Sequence, residues 1–221
     1  MKPYYQDDFC TIYNSDCRSV LATLPEVDLL LSDPPYGIGE AAGKNKSRGR
    51  NAFSRDYGNL SWDNERIDPE LMKLAVRVAK NSIVFGGNYY ADILPASSCW
   101  LVWDKDNGAS DFADCELAWT NLDMAVRRKI YRWNGYLQEK MGKLKEQRWH
   151  PTQKPLEIMQ WCITVADKHG ERQTIIDPFM GSGTTLVAAK NLGRKAIGIE
   201  IEEKYCEIAV KRLRQEVLPL S

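Results

Sequence analysis

The stretch Ile175–Ala189, "IIDPFMGSGTTLVAA", decides the fold of this chain, because it reads as strand, acid, tight turn and helix in immediate succession. Its first residues are β-branched and apolar, as expected for a strand covered on both faces of a parallel sheet. Gly181 and Gly183 let the backbone turn sharply and come close to a ligand. The helix that follows presents free N–H groups and the positive end of its dipole to that turn. The segment therefore predicts a ligand site at the carboxyl end of a parallel strand.

Strands and helices alternate along the rest of the chain, which predicts an open, mostly parallel α/β sheet with helices on both faces. The segments 116–119 and 124–133 predict an antiparallel hairpin at one edge of this sheet. Asp68 is expected to cap a helix that Pro69 opens. Apolar runs predict the other strands at 9–13, 27–32, 82–85, 99–103, 174–176 and 196–199. Helices are predicted at 17–24, 69–80, 155–168, 184–192 and 203–217.

The composition excludes several classes of protein. The chain has 221 residues, of which 43% are apolar, so it can bury the core of one large domain or of two small ones. It contains no apolar stretch long enough to span a membrane, and the first residues form no apolar signal segment. The six cysteines form no CxxC pair and there are two histidines, which argues against a zinc site and a disulfide framework. We therefore expect a reduced, cytoplasmic protein without a bound metal.

The net charge of zero conceals an uneven distribution. Residues 41–55 include five basic and no acidic side chains, and residues 127–154 include nine basic and two acidic ones. These two segments carry +5 and +7, so the remaining residues together carry −12. Basic segments on an acidic body indicate a polyanionic partner, although solvated loops would have the same composition.

A second motif, "SDPPYGIG" at Ser32–Gly39, follows the apolar run 27–31. A residue before proline is held in an extended conformation, so Asp33 is expected to project from the strand end. Proline supplies no N–H, which leaves the Pro34 carbonyl without a local partner. A carboxylate beside a free carbonyl suits the two hydrogens of an –NH2 group, and Tyr36 offers a flat face to an aromatic amine. The motif predicts a site for the exocyclic amino group of a planar base, the alternative being a rigid turn.

The glycine turn is compatible with more than one ligand. A phosphate-binding P-loop needs a lysine where Thr184 stands, and a dinucleotide site needs a third glycine that is missing after Gly183. Asp177, at the strand tip, can accept from an amine or a hydroxyl. Glu200 lies 17 residues after Gly183, close to the interval at which an acid binds a ribose diol. A nucleoside without phosphates, such as S-adenosylmethionine, fits these features, and a purely structural turn is the alternative.

Three motifs together resemble those of the amino-group DNA methyltransferases, which use S-adenosylmethionine. Asp33–Tyr36 and Asp177–Gly183 are similar to the two signature motifs of that family, and "HPTQKP" at His150–Pro155 is similar to a third. The catalytic motif precedes the cofactor motif, which is the order of the circularly permuted β-class. The resemblance covers nearly the whole chain. It implies a single methyltransferase domain over residues 1–221, with a seven-stranded Rossmann-like sheet whose two motif strands lie side by side.

For the base site, the resemblance implies that Asp33 and the Pro34 carbonyl, in the turn that Pro35 completes, bind the target amino group while Tyr36 stacks on the flipped base. Hydrogen bonds from both amino hydrogens favour a localised lone pair on nitrogen, which attacks the sulfonium methyl in line. Family members with Asp before Pro-Pro-Tyr mostly methylate adenine N6, and those with Ser mostly methylate cytosine N4. We therefore predict an adenine-N6 methyltransferase that flips its target base out of double-stranded DNA. An N4-cytosine enzyme, an RNA or protein methyltransferase and a non-catalytic nucleic-acid-binding module remain as alternatives.

For the cofactor site, the resemblance implies that Glu200 takes the ribose hydroxyls and that Asp16 lies near the adenine. Lys154 in the third motif, with His150 and Thr152 beside it, would either face the methionine carboxylate or form part of a structural cap. The other residues lining the cofactor would be Asp177, Phe179, Gly181, Gly183 and Thr184.

The chain is short for this family, in which target recognition usually needs an inserted region. The two candidate segments are a loop at 39–59, expected to be mobile, and a small insert at 134–149. Either the recognised DNA sequence is short, or a second subunit contributes, as it would in a homodimer.

The Lys44–Arg55 segment gives a testable prediction, because five basic residues without an acid follow the base-binding motif closely. If this segment neutralises DNA phosphates, each contact adds about 0.9 to the slope of log affinity against log salt. Changing Lys44, Lys46, Arg48 and Arg50 together to Ala should lower both duplex affinity and that slope, while S-adenosylmethionine affinity stays unchanged. Fluorescence anisotropy at several salt concentrations measures both quantities. A wild-type slope in the quadruple variant would assign the phosphate contacts to residues 127–154 instead.

Overall fold

The computed structural model of the protein describes residues 1–38, 65–108, 113–134, 137–150, 152–170 and 173–215. The predicted loop at 39–59, with the whole Lys44–Arg55 segment, lies outside these residues, as does part of the insert predicted at 134–149.

Within the described ranges, nine of eleven strands form one sheet in the order β1-β2-β11-β10-β3-β4-β6-β5-β7, and β8 pairs with β9 in a separate hairpin. Strands β2, β11, β10, β3 and β4 are parallel to one another, and β6 runs antiparallel to its neighbours β4 and β5. The expected mostly parallel sheet is confirmed, with short edge strands β1 and β7 flanking seven central ones. In chain order the strands are Tyr5–Gln6, Cys10–Asn14, Val27–Ser32, Ala79–Phe85, Trp100–Asp104, Cys115–Thr120, Arg127–Ile130, Trp133–Asn134, Leu137–Gln138, Thr174–Asp177 and Lys195–Glu200.

Helices cover both faces of the sheet, because successive residues of a strand point to opposite faces. Leu30 and Ile176 pack in the cluster that includes helices α1 and α2, whereas Leu29 and Ile175 pack in the cluster that includes α3, α4 and α5. This alternation explains why the central strands are apolar throughout. In chain order the helices are Cys17–Leu21, Pro69–Arg77, Leu156–Ala166, Thr184–Asn191 and Glu203–Arg214.

The hairpin predicted between 116–119 and 124–133 is wrong. Strand β6 lies between β4 and β5, with Trp119 opposite Trp100, and β7 pairs in parallel with β5 on its other side. The half-buried and exposed residues of β7 alternate along the basic sequence Arg127–Ile130, which suits an edge strand and not a place inside the sheet. The antiparallel hairpin near this edge is therefore formed by β5 and β6.

Helix boundaries follow the capping residues that the sequence offers. Asp68 caps α2 as predicted, since its carboxylate accepts from the Leu71 N–H at 3.0 Å and Pro69 begins the helix. The helix ends at Arg77, three residues before the predicted end, because Ala79 already pairs with Val27 in the sheet. Asp16 caps α1 in the same way, accepting from the Arg18 N–H at 2.8 Å.

None of the helices in the described ranges has the length and apolar character needed to cross a membrane. The same ranges contain no cluster of three or more histidine, cysteine or acidic side chains arranged to hold a metal ion. All six cysteines fall within these ranges as free thiols, and five of them are buried.

The glycine turn lies where α4 meets α5. Gly183 precedes α4 with a φ of +78°, a left-handed conformation that favours glycine. A Cβ at this position would stand 2.7 Å from the Cβ of Ala209 in α5. Helix packing and backbone conformation therefore both require glycine here.

Gly193 provides a matched control for this requirement, because its φ is +69° and a Cβ there would meet no atom within 4 Å. We expect Gly193→Ala to lower the free energy of unfolding by about 1–2 kcal/mol, the cost of the left-handed conformation for alanine. Gly183→Ala should lose a further ~1–3 kcal/mol through overpacking against α5. Urea denaturation measures both free energies of unfolding. Equal losses in the two variants would show that α5 moves to make room for the Cβ at position 183 without a loss of stability.

Candidate active site

The turn after β3 is held by tyrosines on both sides. The Tyr36 hydroxyl donates to Asp33 Oδ1, and the buried Tyr90 hydroxyl donates to the Pro35 carbonyl. Tyr36 also forms an isolated antiparallel bridge with Arg66, whose guanidinium binds the Asp92 carboxylate at 2.6 and 2.8 Å. Two tyrosine hydroxyls and one backbone bridge therefore fix the course of this turn in the tertiary structure.

The ring of Tyr36 is packed closely against its neighbours. It stacks on Tyr89 with ring centroids 5.0 Å apart and an interplanar angle of 18°. Gly86, whose φ is +66°, lies against the same ring, and a Cβ at that position would overlap it. Tyr89 thus covers one face of the aromatic side chain that we expected to stack on a base, and the Lys154 ammonium lies over the ring, 5.6 Å from its centroid.

Asp33 is linked to a buried chain of charges. The Lys154 ammonium lies 2.5 Å from Asp33 Oδ2 and 3.1 Å from Glu116 Oε2, and the Lys105 ammonium lies 2.6 Å from Glu116 Oε1. Only 7% of the Lys154 side chain is exposed, so its charge is balanced by these carboxylates and not by water. The structure therefore pairs Lys154 with these two carboxylates, and its contact with a methionine carboxylate stays a prediction. Glu116 and Lys105 were missed because no motif marks them.

Burial and neighbouring charges shift the pKa values in this chain. Burial raises the pKa of Asp33, the Glu116 charge adds to that rise, and the Lys154 charge opposes it. Burial would lower the pKa of Lys154, but the two carboxylates outweigh it and the pKa is raised, which keeps the ammonium charged. Burial would raise the pKa of Glu116, but Lys154 and Lys105 hold it below its usual value. The network thus contains two positive and two negative charges.

Asp177 joins the two motif strands. At the tip of β10 its carboxylate accepts from Ser32 Oγ at 3.0 Å, from the Phe179 N–H at 3.1 Å and from Thr185 Oγ1 at 2.5 Å. The side chain is buried, and this burial raises its pKa to about 6. These three donors show that Asp177 fastens the start of α4 to β3, and the predicted contact of its carboxylate with a ligand stays a prediction.

Arg212, which the sequence did not single out, secures the glycine turn from α5. Its Nη1 donates to the Ser182 carbonyl at 2.7 Å and to Thr184 Oγ1 at 3.0 Å. Thr184 is therefore engaged by the protein at the position that we assigned to the cofactor. No motif marks this arginine, so its role is visible only from its contacts in the fold.

His150 lies over the turn as an uncharged ring. A Cβ at Gly181 would lie 3.7 Å from the His150 ring, and that ring meets Tyr205 edge to face with ring centroids 4.5 Å apart. Burial and the nearby Lys154 charge lower the pKa of His150 to about 3. A neutral imidazole cannot offer a positive charge to a ligand carboxylate, so this part of the third motif acts by packing.

Glu200 stands at the tip of β11, beside the glycine turn. Its carboxylate accepts from the Gly181 N–H at 3.0 Å and from the Glu202 N–H at 2.8 Å. Burial, together with the charges of Glu202 and Asp177, raises its pKa to about 7. Each oxygen retains a lone pair, so the side chain can still accept from a ligand hydroxyl.

The predicted residues converge on one cavity of about 380 Å³ at the carboxyl ends of β3, β10 and β11. Asp16 lies on one side, and Ile67 and Leu71 add apolar walls that the motifs do not include. The lining residues from our sequence predictions are Asp16, Asp33, Pro35, Lys154, Asp177, Phe179, Gly181, Thr184 and Glu200. Pro34, Tyr36 and Gly183 stand behind this lining, with Pro34 buried and Tyr36 half-buried.

Comparison with known proteins supports a common family. A family model of DNA methylases, the N6/N4 methyltransferase family, matches residues 115–211. The Type II methyltransferase M2.DpnII of Streptococcus pneumoniae is 29% identical in an alignment covering 97% of this chain and 93% of that protein. The Type II methyltransferase M.HinfI of Haemophilus influenzae is 28% identical over 97% of this chain and 71% of that protein.

Solved structures share the fold. The crystal structure of the M1.HpyAVI–SAM complex superposes with a TM-score of 0.56 at 23% identity, covering 93% of this chain and 99% of that one. PvuII DNA methyltransferase, described as cytosine-N4-specific, gives a TM-score of 0.60 at 15% identity, with 98% and 90% covered. The family model, the relatives that align along almost the whole chain and the shared fold agree, so this chain is similar to the amino-group DNA methyltransferases of the N6/N4 family.

Proposed function

We propose that this protein transfers a methyl group from S-adenosylmethionine to the N6 amino group of adenine in double-stranded DNA. The observation that carries the proposal is that Asp33, at the tip of β3, lines the same cavity as Glu200 and the glycine turn. An acceptor for a base amine and a nucleoside site therefore open into one space. The relatives named Type II methyltransferases support modification of DNA at specific sites.

The residues of the cavity fit S-adenosylmethionine. The M1.HpyAVI structure carries that cofactor in the same fold. Glu200 retains acceptor capacity for ribose hydroxyls, Asp16 offers an exposed carboxylate for the adenine side, and Phe179, Ile67 and Leu71 supply apolar surface. When bound, the cofactor supplies an electrophilic methyl group on a positively charged sulfur. We assign no residue to its methionine carboxylate, because Lys154 pairs with Asp33 and Glu116 and His150 is neutral.

The base site acts by positioning hydrogen-bond acceptors. A carboxylate has about four lone-pair directions, so Asp33 can accept from a base amine while it keeps Tyr36 and Lys154 as partners. With the Pro34 carbonyl as second acceptor, both amine hydrogens are engaged and the nitrogen lone pair is directed at the methyl carbon. Asp33 then accepts the proton that the alkylated nitrogen releases. Alignment of this kind supplies ~7–11 kcal/mol, and no covalent enzyme intermediate is needed.

Adenine is the proposed base because Asp, and not Ser, precedes Pro-Pro-Tyr. Cytosine N4 is the second candidate, since its amine has the same two hydrogens and the PvuII enzyme of this fold is cytosine-N4-specific. Methylation of unmodified genomic DNA by the purified protein, followed by single-molecule sequencing, identifies the base and the site together. DNA without any modified base would contradict the proposal, and N4-methylcytosine would select the second candidate.

The assembly on DNA follows from charge and size. The exposed side chains of Arg128, Arg132 and Lys143 belong to the basic region 127–154 and can contact phosphates. A flipped base costs a few kcal/mol, which such contacts help to offset. A homodimer remains our prediction for how a short chain recognises its site, and sedimentation with and without a DNA duplex tests it.

Asp33→Ala should abolish methyl transfer and leave S-adenosylmethionine affinity nearly unchanged. The carboxylate is the acceptor for the base amine, and losing one such placed group costs about 100–1,000-fold in rate. A tritiated-methyl assay measures turnover and calorimetry measures cofactor binding. Asp8→Ala, which removes an exposed acid in the turn before β2, is the control. Turnover equal to that control would refute the role of Asp33.

Glu200 should make cofactor affinity depend on pH. The carboxyl pKa of about 7 means that the group gains a proton as pH falls from 8 to 6.5, and binding to hydroxyls favours the ionised form. We expect affinity to fall over that interval. Glu200→Gln should remove the dependence, and Glu200→Ala should weaken binding at pH 8 by about 1.5–3 kcal/mol.

Glu202→Gln is the matched control for this titration, because Glu202 lines the same cavity but is exposed. It should keep the fall in affinity in calorimetric titrations but move it to lower pH, because the Glu202 charge contributes to the raised pKa of Glu200. A pH dependence that persists in Glu200→Gln would assign the titration to another group of the cavity.

A further inference from the structure

Four side chains from four separate segments form a line of alternating charge behind the base site. They are Asp33 after β3, Lys154 before α3, Glu116 in β6 and Lys105 after β5. The side chains of Asp33, Glu116 and Lys105 are 18%, 23% and 17% exposed, so water screens this line only weakly. Nothing in the fold requires four buried charges here, since apolar residues would pack at no electrostatic cost.

We propose that Glu116 is a positioning residue for methyl transfer. Glu116 holds the Lys154 ammonium beside Asp33 and balances part of the positive charge of Lys154. The inference rests on the proposed function. A lysine ammonium is a compact charge on a flexible stem, so one carboxylate alone does not fix its place. Contacts at 2.5 Å to Asp33 and 3.1 Å to Glu116 anchor it between two strands of the sheet.

Glu116 also sets how strongly Asp33 accepts hydrogen bonds. Without Glu116, the Lys154 ammonium would interact with the Asp33 carboxylate alone and would neutralise more of its negative charge. A carboxylate neutralised in this way accepts a hydrogen bond from a base amine less strongly. Lys105 limits this effect from the far side, because its ammonium draws charge from Glu116 at 2.6 Å. Changes at the two outer residues should therefore move Asp33 in opposite directions.

Other groups also face Asp33 and its partner Lys154. Tyr36 donates to it from the same turn, the Asp177 carboxylate faces it from β10, and His150 near Lys154 is neutral. None of these is altered by substituting Glu116 or Lys105. Removing the negative charge of Glu116 lowers the pKa of Asp33, and removing the positive charge of Lys105 raises it.

The single-turnover rate constant at saturating cofactor and DNA depends on the ionisation of Asp33 in the bound complex. The fall of this rate constant at low pH, its acidic limb, gives the pKa of the Asp33 carboxyl. Glu116→Gln should reduce the rate constant by about tenfold or more and move the acidic limb to lower pH by about one pH unit. Lys105→Met, which removes the ammonium together with its cation–π contact to Trp103, should move the limb to higher pH. Cofactor affinity should remain within about twofold of wild type in both variants.

Glu157→Gln is the matched control, because Glu157 forms a partly exposed ion pair of similar length, 2.7 Å, with Lys129 away from the cavity. It should leave both the rate constant and the pH profile unchanged. If the Glu116→Gln variant has the rate constant and the acidic limb of the wild-type protein, the inference is overturned. If that variant does not fold, an unmoved limb in Lys105→Met overturns it equally.

Carbon-13 NMR titration of the Asp33 carboxyl separates this inference from the proposed function. The two substitutions should shift its pKa in opposite directions whether or not DNA is present. If the wild-type protein leaves DNA unmethylated while both pKa shifts occur in the variants, the proposed function is refuted. The influence of Glu116 and Lys105 on the Asp33 pKa would then still stand. Methylated DNA without those shifts would refute the inference alone.

Discussion

The parallel pairing of β3 with β10, closed at its carboxyl end by Asp177, is the constraint on which the site depends. Ile175 and Ile176 pair with Leu29 and Leu30, and the Ser32–Asp177 side-chain hydrogen bond joins the last residues of the two strands. The strand tips are thereby held at one edge, although 145 residues separate them in sequence. Because Asp177 also binds Thr185, a single carboxylate orients the start of α4 with respect to the base-binding turn.

Burying Asp33 beside this edge creates a second requirement, which is the balance of charge. A buried carboxylate without a partner would gain a proton and lose its acceptor function, so Lys154 must accompany it. A buried lysine needs more than one acceptor for its three hydrogens, and Glu116 meets that need from β6. The antiparallel insertion of β6 between β4 and β5 therefore contributes to the electrostatics of the site as well as to the sheet.

Local sequence predicted the features that neighbouring residues determine. The strand Val27–Ser32, the cap at Asp68 and the glycine turn follow from apolar runs, side-chain oxygens and backbone freedom within a few positions. The order β4-β6-β5-β7 depends on which strands can be buried between two neighbours. The local sequence around β7 does not determine which strand takes the inner position. The same limit explains why Glu116 was missed and why Lys154 was assigned to a different partner. Both assignments require the distance between residues far apart in the chain.

The acids around the cavity suggest why it would select a positively charged cofactor. Burial raises the pKa values of Asp33, Asp177 and Glu200, and mutual repulsion adds to this, since Asp33 faces Asp177 and Asp177 faces Glu200. A cation placed among these carboxylates would relieve that repulsion and favour their ionised forms. Methyl transfer removes the positive charge from the sulfur, so the attraction that holds the cofactor would weaken once the reaction is complete. Lys154 balances the charge on the Asp33 side. The unfavourable burial of the three acids thus favours binding of the cofactor with its charged sulfur over binding of the neutral-sulfur product.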